Sequence, residues 1–442
     1  MIRALVLLAL LAPAARAAEP ASLSLAKLKD TTVRVYGVLE TDAISDTRQG
    51  FAESQANTLV PKDNAAGAAN FAGRHHRAQM SVRQTRFGAE VILPEASGWK
   101  ATGVLELDLY GNDAPNTLPG AAPGAQSERD FFNNPAVRVR HAYVNLTRGE
   151  WNIKAGQYWS LFGWQTEYFP PEITVQATVG QLNSRMAQLR ATYTKALPAS
   201  LTLQAAAAAA RPSEMSSGSP VYQAAAKLSA SDWKGNVNYG FSGVLKDLSL
   251  GVSVEVTPLS TQGRGNPTAT AAALQALVPL LPSSDGKSKA NTLTFIGEAV
   301  AGAGVAGVEL PALNFGVAGP TAAQVGTAID AGIAGVNVTG NIEPIRFRSC
   351  RGALSYTLPA PKWGVAAGYA QVEGRNLDRF STAAAAAGIA PKLQYGFAAV
   401  TYDPKDWLRL AAQASKTRNT YNDAASRFAD NNRLQLSAYF IF

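Results

Sequence analysis

The 442-residue sequence predicts an all-β fold, a transmembrane antiparallel β-barrel of about sixteen strands, on three observations. Segments of about ten residues recur with apolar and polar side chains alternating, the period of strands that are dry on one face and wet on the other. Tight turns alternate with long polar connectors, so one end of the barrel is trimmed and the other elaborated. No later stretch makes a spanning helix: 269–282 is broken by Gln275, Pro279 and Pro282, and 299–320 by Glu309 and Pro311.

The chain opens with Arg3, an apolar run from Ala4 to Ala12 and the triplet Ala15-Arg16-Ala17. This is the charge, apolar run and small-residue site of a secretory signal peptide, residues 1–17, too short to cross about 30 Å of hydrocarbon. A short periplasmic segment, 18–31, then leads into a barrel over 32–442.

Composition agrees. The chain has 38 Gly and 47% hydrophobic residues, yet its mean hydropathy is −0.04. Cys350 is the single cysteine, so no internal disulfide framework exists, and it reads as a buried small hydrophobe. The net charge of +8 suits nucleic acid, anionic lipid or an anionic solute, and export argues against nucleic acid.

Strands are predicted near 32–43, 78–93, 99–110, 135–147, 151–162, 186–195, 200–211 and 220–230. The rest lie near 234–245, 248–258, 291–302, 345–358, 363–374, 390–402, 407–418 and 431–442. The last is the clearest, with Leu434, Leu436, Ala438, Phe440 and Phe442 on one face and Arg433, Gln435, Ser437 and Tyr439 on the other. In 136–144, Val137, Val139 and Tyr143 oppose Arg138 and Arg140.

Turns are marked by Pro94 to Gly98, Arg148-Gly149, Pro198-Ala199, Asp232, Pro359 to Pro361 and Asp403-Pro404. Long connectors fall at 44–77, 111–134, 163–185, 303–344, 375–389 and 419–430. An inserted segment, 259–290, breaks the alternation, and its Ala/Leu-rich centre from Thr270 to Leu281 is expected to form a small helix. Trp99, Trp151, Trp233, Trp363 and Trp407 each sit by a short turn, the spacing of an aromatic girdle at one headgroup level. A soluble β-sandwich is the structural rival, but so many strands and an apolar terminal row fit closure in lipid better.

Arginines recur inside the strands. On the lipid face each would cost about 2–4 kcal/mol near the midplane, so they are expected to line a lumen. The candidate pore-lining, anion-binding residues are Arg34, Arg83, Arg86, Arg138, Arg140, Arg185, Arg190, Arg346, Arg348 and Arg351, the last after an apparent phase slip at Cys350. Guanidinium rows focus a positive potential and match carboxylate forks. Ion pairing with Glu40, Asp42, Glu106 and Asp108 is the alternative use of the same charges. Segment 163–185, with Trp164, Glu167, Tyr168 and Phe169, is the candidate for an infolded loop that narrows the pore.

Enzyme signatures are absent. Gly302, Gly304 and Gly307 spell a dinucleotide fingerprint by chance in a Gly-rich chain. His75-His76 lacks metal-site spacing. His141 with Asn145 and Ser160 lacks a hydrolase pattern. No catalytic group, metal or cofactor is expected.

RQTRFGAEV at 83–91, VRVRHAY at 137–143, AGQYWSLFGW at 155–164 and QLNSRMAQLRATY at 181–193 resemble the DcaP-like family of outer-membrane porins. The resemblance is densest over 32–195 and returns at LQLSAYFIF. It implies a trimeric sixteen-stranded barrel in the bacterial outer membrane, admitting small anions such as dicarboxylates. Arg83, Arg86, Arg138, Arg140 and Arg185 align with its motif arginines, and Phe442 resembles the signal read by the outer-membrane assembly machinery. Only a short stretch precedes the first strand, where some members carry a coiled coil. The expected function is passive diffusion of small anionic solutes. A structural or adhesive barrel with a closed lumen is the alternative.

Overall fold

The computed structural model describes residues 30–48, 53–54, 56–63, 73–111, 133–173, 177–212, 218–259, 267–321, 324, 329, 332–360, 362–380 and 386–442. The expected signal peptide and most of the 18–31 segment lie outside the described residues.

Each strand pairs antiparallel with its neighbour. In chain order they are β1 (Thr32–Asp46), β2 (Arg77–Ser81 and Arg86–Ile92), β3 (Lys100–Asp108), β4 (Arg138–Arg148), β5 (Trp151–Trp159) and β6 (Arg185–Leu197). Next come β7 (Leu201–Ala210), β8 (Val221–Asn238), β9 (Gly243–Pro258), β10 (Thr268–Leu281) and β11 (Thr292–Ala303). The ring is completed by β12 (Arg346–Thr357), β13 (Trp363–Gly374), β14 (Lys392–Lys405), β15 (Leu408–Thr420) and β16 (Phe428–Ile441). Both halves of β2 pair with β1 on either side of a break at 82–85, so they form one interrupted strand.

β16 closes the ring on β1, with Val38 opposite Ile441 and Asp46 opposite Arg433. Closure removes the free edges that an open sheet would present to lipid. Phe442 is stitched to Gly37 by two backbone hydrogen bonds of 2.9 and 3.1 Å. A Cβ at Gly37 would stand 2.5 Å from the Phe442 ring, so glycine makes room for that terminal aromatic.

Alternation sets the faces. Val33, Val35, Leu39, Leu250, Val252, Val254, Leu434, Leu436 and Phe440 point out and are exposed, while Glu40, Asp42, Asp46, Gln435, Ser437 and Tyr439 point in and are buried. Trp99, Trp151, Trp233, Trp363 and Trp407 are all exposed at the short-turn end. Trp363 stacks on Tyr402 at 4.3 Å and Trp407 packs on Phe440 at 5.6 Å, so aromatics ring that end.

Four expectations are corrected. The segment 234–245 is no barrel strand. It is the end of a long hairpin, β8–β9, whose register shifts at Asp247/Leu248 and whose tip turns into the barrel. There Asn236 Nδ2 donates to Thr357 Oγ1 at 2.7 Å and the Asn238 amide donates to Ser355 Oγ at 3.0 Å. Conversely, Thr268–Leu281 is a barrel strand and not a helix, paired with β9 and β11. Alanine is the strongest helix former, but helix propensity is a weak bias that pairing with a strand on each side overrides. The two changes cancel in the strand count and restore the alternation of turns and loops.

Tyr143 faces inward, because Arg140 and His141 form a bulge opposite Glu106 and Leu107 that reverses the phase of the strand beyond it. Cys350 is exposed on the outer face of β12 and is not buried.

Candidate pore lining

The connector between β5 and β6, residues 160–184, starts and ends on adjacent strands but is anchored across the barrel. The Leu161 amide donates to Gln223 Oε1 on β8 at 3.0 Å, and the Gly163 amide to Ser253 Oγ on β9 at 2.8 Å. The Ile173 amide donates to Gln413 Oε1 on β15 at 3.1 Å, and Tyr439 of β16 donates to the Ile173 carbonyl at 2.7 Å. Inward Gln, Ser and Tyr side chains thus satisfy backbone groups that would otherwise be buried unpaired. Gly163 has φ +79°, and a Cβ there would strike Leu182 at 2.3 Å, so the inward turn requires glycine. The expected infolded loop is present.

Two more long connectors pack against it. The Gly180 amide donates to Asn57 Oδ1 at 2.9 Å, and the Asn183 amide to the Glu309 carbonyl at 2.9 Å. Phe162, Ile173, Val179 and Leu182 share one apolar cluster with Leu310, Leu313, Phe315 and Ile333. The Glu309 carboxylate accepts hydrogen bonds from Ser160, Ser184 and Gln165, each at 2.7 Å, and burial pushes it up from the usual carboxyl range. Glu172 accepts from Tyr395 at 2.8 Å and Thr178 at 2.9 Å, and burial raises it to about 7. From the opposite end the β8–β9 hairpin arrives: Lys246 Nζ donates to the carbonyls of Thr166 and Glu167 at 2.9 and 2.6 Å.

The filling is one-sided. On β10, β11, β12, β15 and β16 the inward groups Gln275, Thr294, Ser355, Gln413 and Gln435 are buried under these segments. On β3 to β7 the inward groups toward the short-turn end, Thr102, Tyr143, Asn145, Lys154, Thr192 and Gln204, stay partly exposed, whereas Glu106, His141, Gln188 and Arg190 farther along the same strands are buried. Water therefore reaches the short-turn half of that wall.

Four of the ten candidate arginines, Arg138, Arg140, Arg185 and Arg190, lie on that wall, and most of the ten are paired with a carboxylate. Arg34 is exposed at the short-turn end and pairs with Glu90 at 3.4 Å. Arg83, in the β2 break, is fully buried against Glu53 at 2.9 Å and lies 4.2 Å from the Tyr110 ring. Arg138 makes a fork to Asp108 at 3.0 and 2.7 Å. Arg140 bonds Glu106 at 2.6 Å and Asp108 at 3.0 Å. Arg190 donates to Gln188 Oε1 at 2.9 Å and to the Trp159 carbonyl. Arg351 pairs with Glu298 at 2.9 Å and donates to the Tyr168 carbonyl.

Arg86, Arg185 and Lys154, like Arg190, have no carboxylate within ion-pair distance among the described residues. Arg86 lies over the Phe241 ring at 4.8 Å, and its Nε and Nη2 have no hydrogen-bond partner. Arg185 lies over Trp159 at 4.8 Å. Lys154 sits against Tyr158 at 3.4 Å and Tyr143 at 4.4 Å. Lys154 is not among the candidates drawn from the sequence; the signal for it is the Tyr143/Tyr158 pair, visible only once the bulge is known.

Arg346 and Arg348 are corrected. Phe347 and Ser349 are the buried, inward residues of that strand, so Arg346 and Arg348 point out. No phase slip occurs at Cys350: Arg351 is inward because it shares parity with Phe347. His141 packs on Tyr158 at 5.1 Å with its Nε2 3.7 Å from Glu106, while Ser160 serves Glu309, so the two do not pair.

The chain matches the outer membrane channel DcaP of Acinetobacter baumannii with a TM-score of 0.64 at 18% identity, covering 94% of this chain and 98% of that one. An anion-selective porin from Comamonas acidovorans matches at TM-score 0.54 and 11% identity, covering 93% and 100%. Salmonella typhi OmpF matches at 0.51 and 12%, covering 93% and 98%. No family model matches the chain, and no curated protein does. The likeness establishes the fold, a porin-like closed antiparallel barrel.

Proposed function

We propose that the protein is an outer-membrane porin, a passive channel and not an enzyme, that favours small anionic solutes such as dicarboxylates. The observation that carries this reading is a set of interior cations without a carboxylate partner among the described residues, Lys154 on the water-accessible short-turn half of the β3–β7 wall with Arg190, Arg185 and Arg86 beyond it. Cations without counter-charges in a narrow, partly dry passage raise the local concentration of anions. Exposed outward Val and Leu rows and the aromatic ring support placement in lipid, with the short-turn end periplasmic and the long-loop end extracellular. The names of the DcaP channel and the anion-selective porin point the same way. The homotrimer and the reading of Phe442 by the assembly machinery rest on the family resemblance, and both belong to the proposal.

Purified protein in planar bilayers is expected to give stepwise conductance in KCl, reduced by added dicarboxylate. Absence of steps from correctly folded protein would favour the second reading, a structural barrel with a closed lumen. That reading draws on one observation: the β8–β9 hairpin and the inner loop meet, through Lys246, inside the barrel.

A further inference from the structure

The outward position of Arg346 and Arg348 has companions on the neighbouring strands. Lys392 on β14 and Lys416 and Arg418 on β15 also face outward at the extracellular ends of their strands, and Arg375 follows β13 directly. Two outward carboxylates answer five of these six cations. Glu373 takes Arg348 at 2.7 Å, Arg375 at 3.6 Å and Lys392 at 3.9 Å. Asp430 takes Lys416 at 3.0 Å and Arg418 at 2.7 Å. The Arg348, Lys416 and Arg418 side chains keep 57%, 51% and 42% of their surface exposed, so each can meet a further ligand.

Height fixes what surrounds them. Glu373 lies about ten residues along β13 from Trp363, which at about 3.3 Å per residue and a tilt of about 40° is about 25 Å, the height of a barrel's apolar band. Below the belt the same faces show Leu354, Val365, Val400, Leu410 and Leu436. The cations therefore stand at the outer headgroup level, where outward charge costs little. Guanidinium and ammonium groups with spare donors there match phosphate by charge and by fork geometry.

We infer that this belt, on the outer faces of β12–β15, binds the phosphate groups of a glycolipid in the outer leaflet. The inference rests on the outer-membrane placement proposed above, but not on conduction. The test uses the full barrel in nanodiscs containing diphosphoryl lipid A or its dephosphorylated form, with retained lipid measured by native mass spectrometry. Wild-type protein is expected to retain the phosphorylated form selectively. Arg348→Ala with Lys392→Ala and Arg418→Ala is expected to lower that retention by about tenfold or more, since each basic residue near a charged headgroup contributes. Single-channel conductance stays unchanged, because these side chains face away from the lumen. Should the triple variant fail to fold, Arg348→Gln with Arg418→Gln keeps the side-chain bulk and is expected to give a smaller loss. Equal retention by wild type and variant, equal retention of both lipids, or a change of oligomeric state in place of lipid loss would each overturn the inference. Normal retention without conductance would instead sink the porin reading and leave this one standing.

Discussion

The Arg185 guanidinium lies 4.8 Å from the centre of the Trp159 ring, on adjacent strands where the two residues are direct partners, and no carboxylate lies within ion-pair distance of it among the described residues. Its neighbours Arg138 and Arg140 are tied to Asp108 and Glu106. The same residue type thus does two things on one wall. Arginines paired with carboxylates hold the wall together, and Arg185, which has none, keeps its charge unneutralised.

Arg185→Ala is therefore expected to lower the anion-to-cation permeability ratio with little loss of thermal stability. Arg140→Ala should do the reverse: it takes from Glu106 its arginine, while Asp108 keeps Arg138, and costs about 3–5 kcal/mol if Glu106 remains charged. Thermal unfolding and bilayer permeability on the two variants separate these effects. Equal selectivity changes in both would remove the distinction.

Arg83 and Glu53 are both fully buried, 2.9 Å apart, where β2 is interrupted. Arg83→Ala is expected to destabilise the barrel by about 3–5 kcal/mol, because Glu53 loses its partner inside protein. Adding Glu53→Gln should recover part of the loss. A melting temperature unaffected by Arg83→Ala would contradict the placement.

Glu172 seats the inner loop on Tyr395, with its carboxyl raised to about 7 by burial. The raised value means the protonated form is the one the folded loop favours. Its contribution is complete below about pH 4.5 and is lost as pH rises through about 7. Current noise from loop motion and protease sensitivity at 160–184 should therefore increase between about pH 5 and pH 8. Glu172→Gln should flatten that dependence, and a variant as pH-sensitive as wild type would refute the assignment.

Phe241 at the tip of the β8–β9 hairpin faces Arg86 at 4.8 Å. Phe241→Ala should widen the passage and expose Arg86, raising single-channel conductance by a measurable fraction. No change in conductance would place the hairpin outside the conduction path.

Cys350 offers an independent check on orientation, since it is exposed between outward Arg348 and Gly352. A nitroxide attached there should be quenched by oxygen dissolved in lipid and shielded from a water-soluble nickel complex. The opposite accessibility would reverse the faces of β12.

Much of this architecture was legible in the residues. The terminal strand could be read because its apolar row runs unbroken from Leu434 to Phe442, and the tryptophans tracked the turns. Alternation says that Arg346 and Phe347 face opposite ways, but not which one faces lipid; the large connector beneath Phe347 decides that. The Ala-rich β10 looked helical because alanine carries no strand signal of its own. The Arg140–His141 bulge is silent in sequence, and one extra residue moved Tyr143 from the lipid to the lumen. Which arginines are paired depends on contacts between strands, as with Arg83 and Glu53, so ten candidates read as equals until the barrel was closed.

The most direct test is the zero-current potential across a bilayer holding the protein under a KCl gradient. Wild-type channels should show chloride preference, and Arg185→Glu with Lys154→Glu should move the potential toward the potassium side. Cation preference in the wild type, or a double variant indistinguishable from it, would contradict the claim that these unneutralised cations govern the passage.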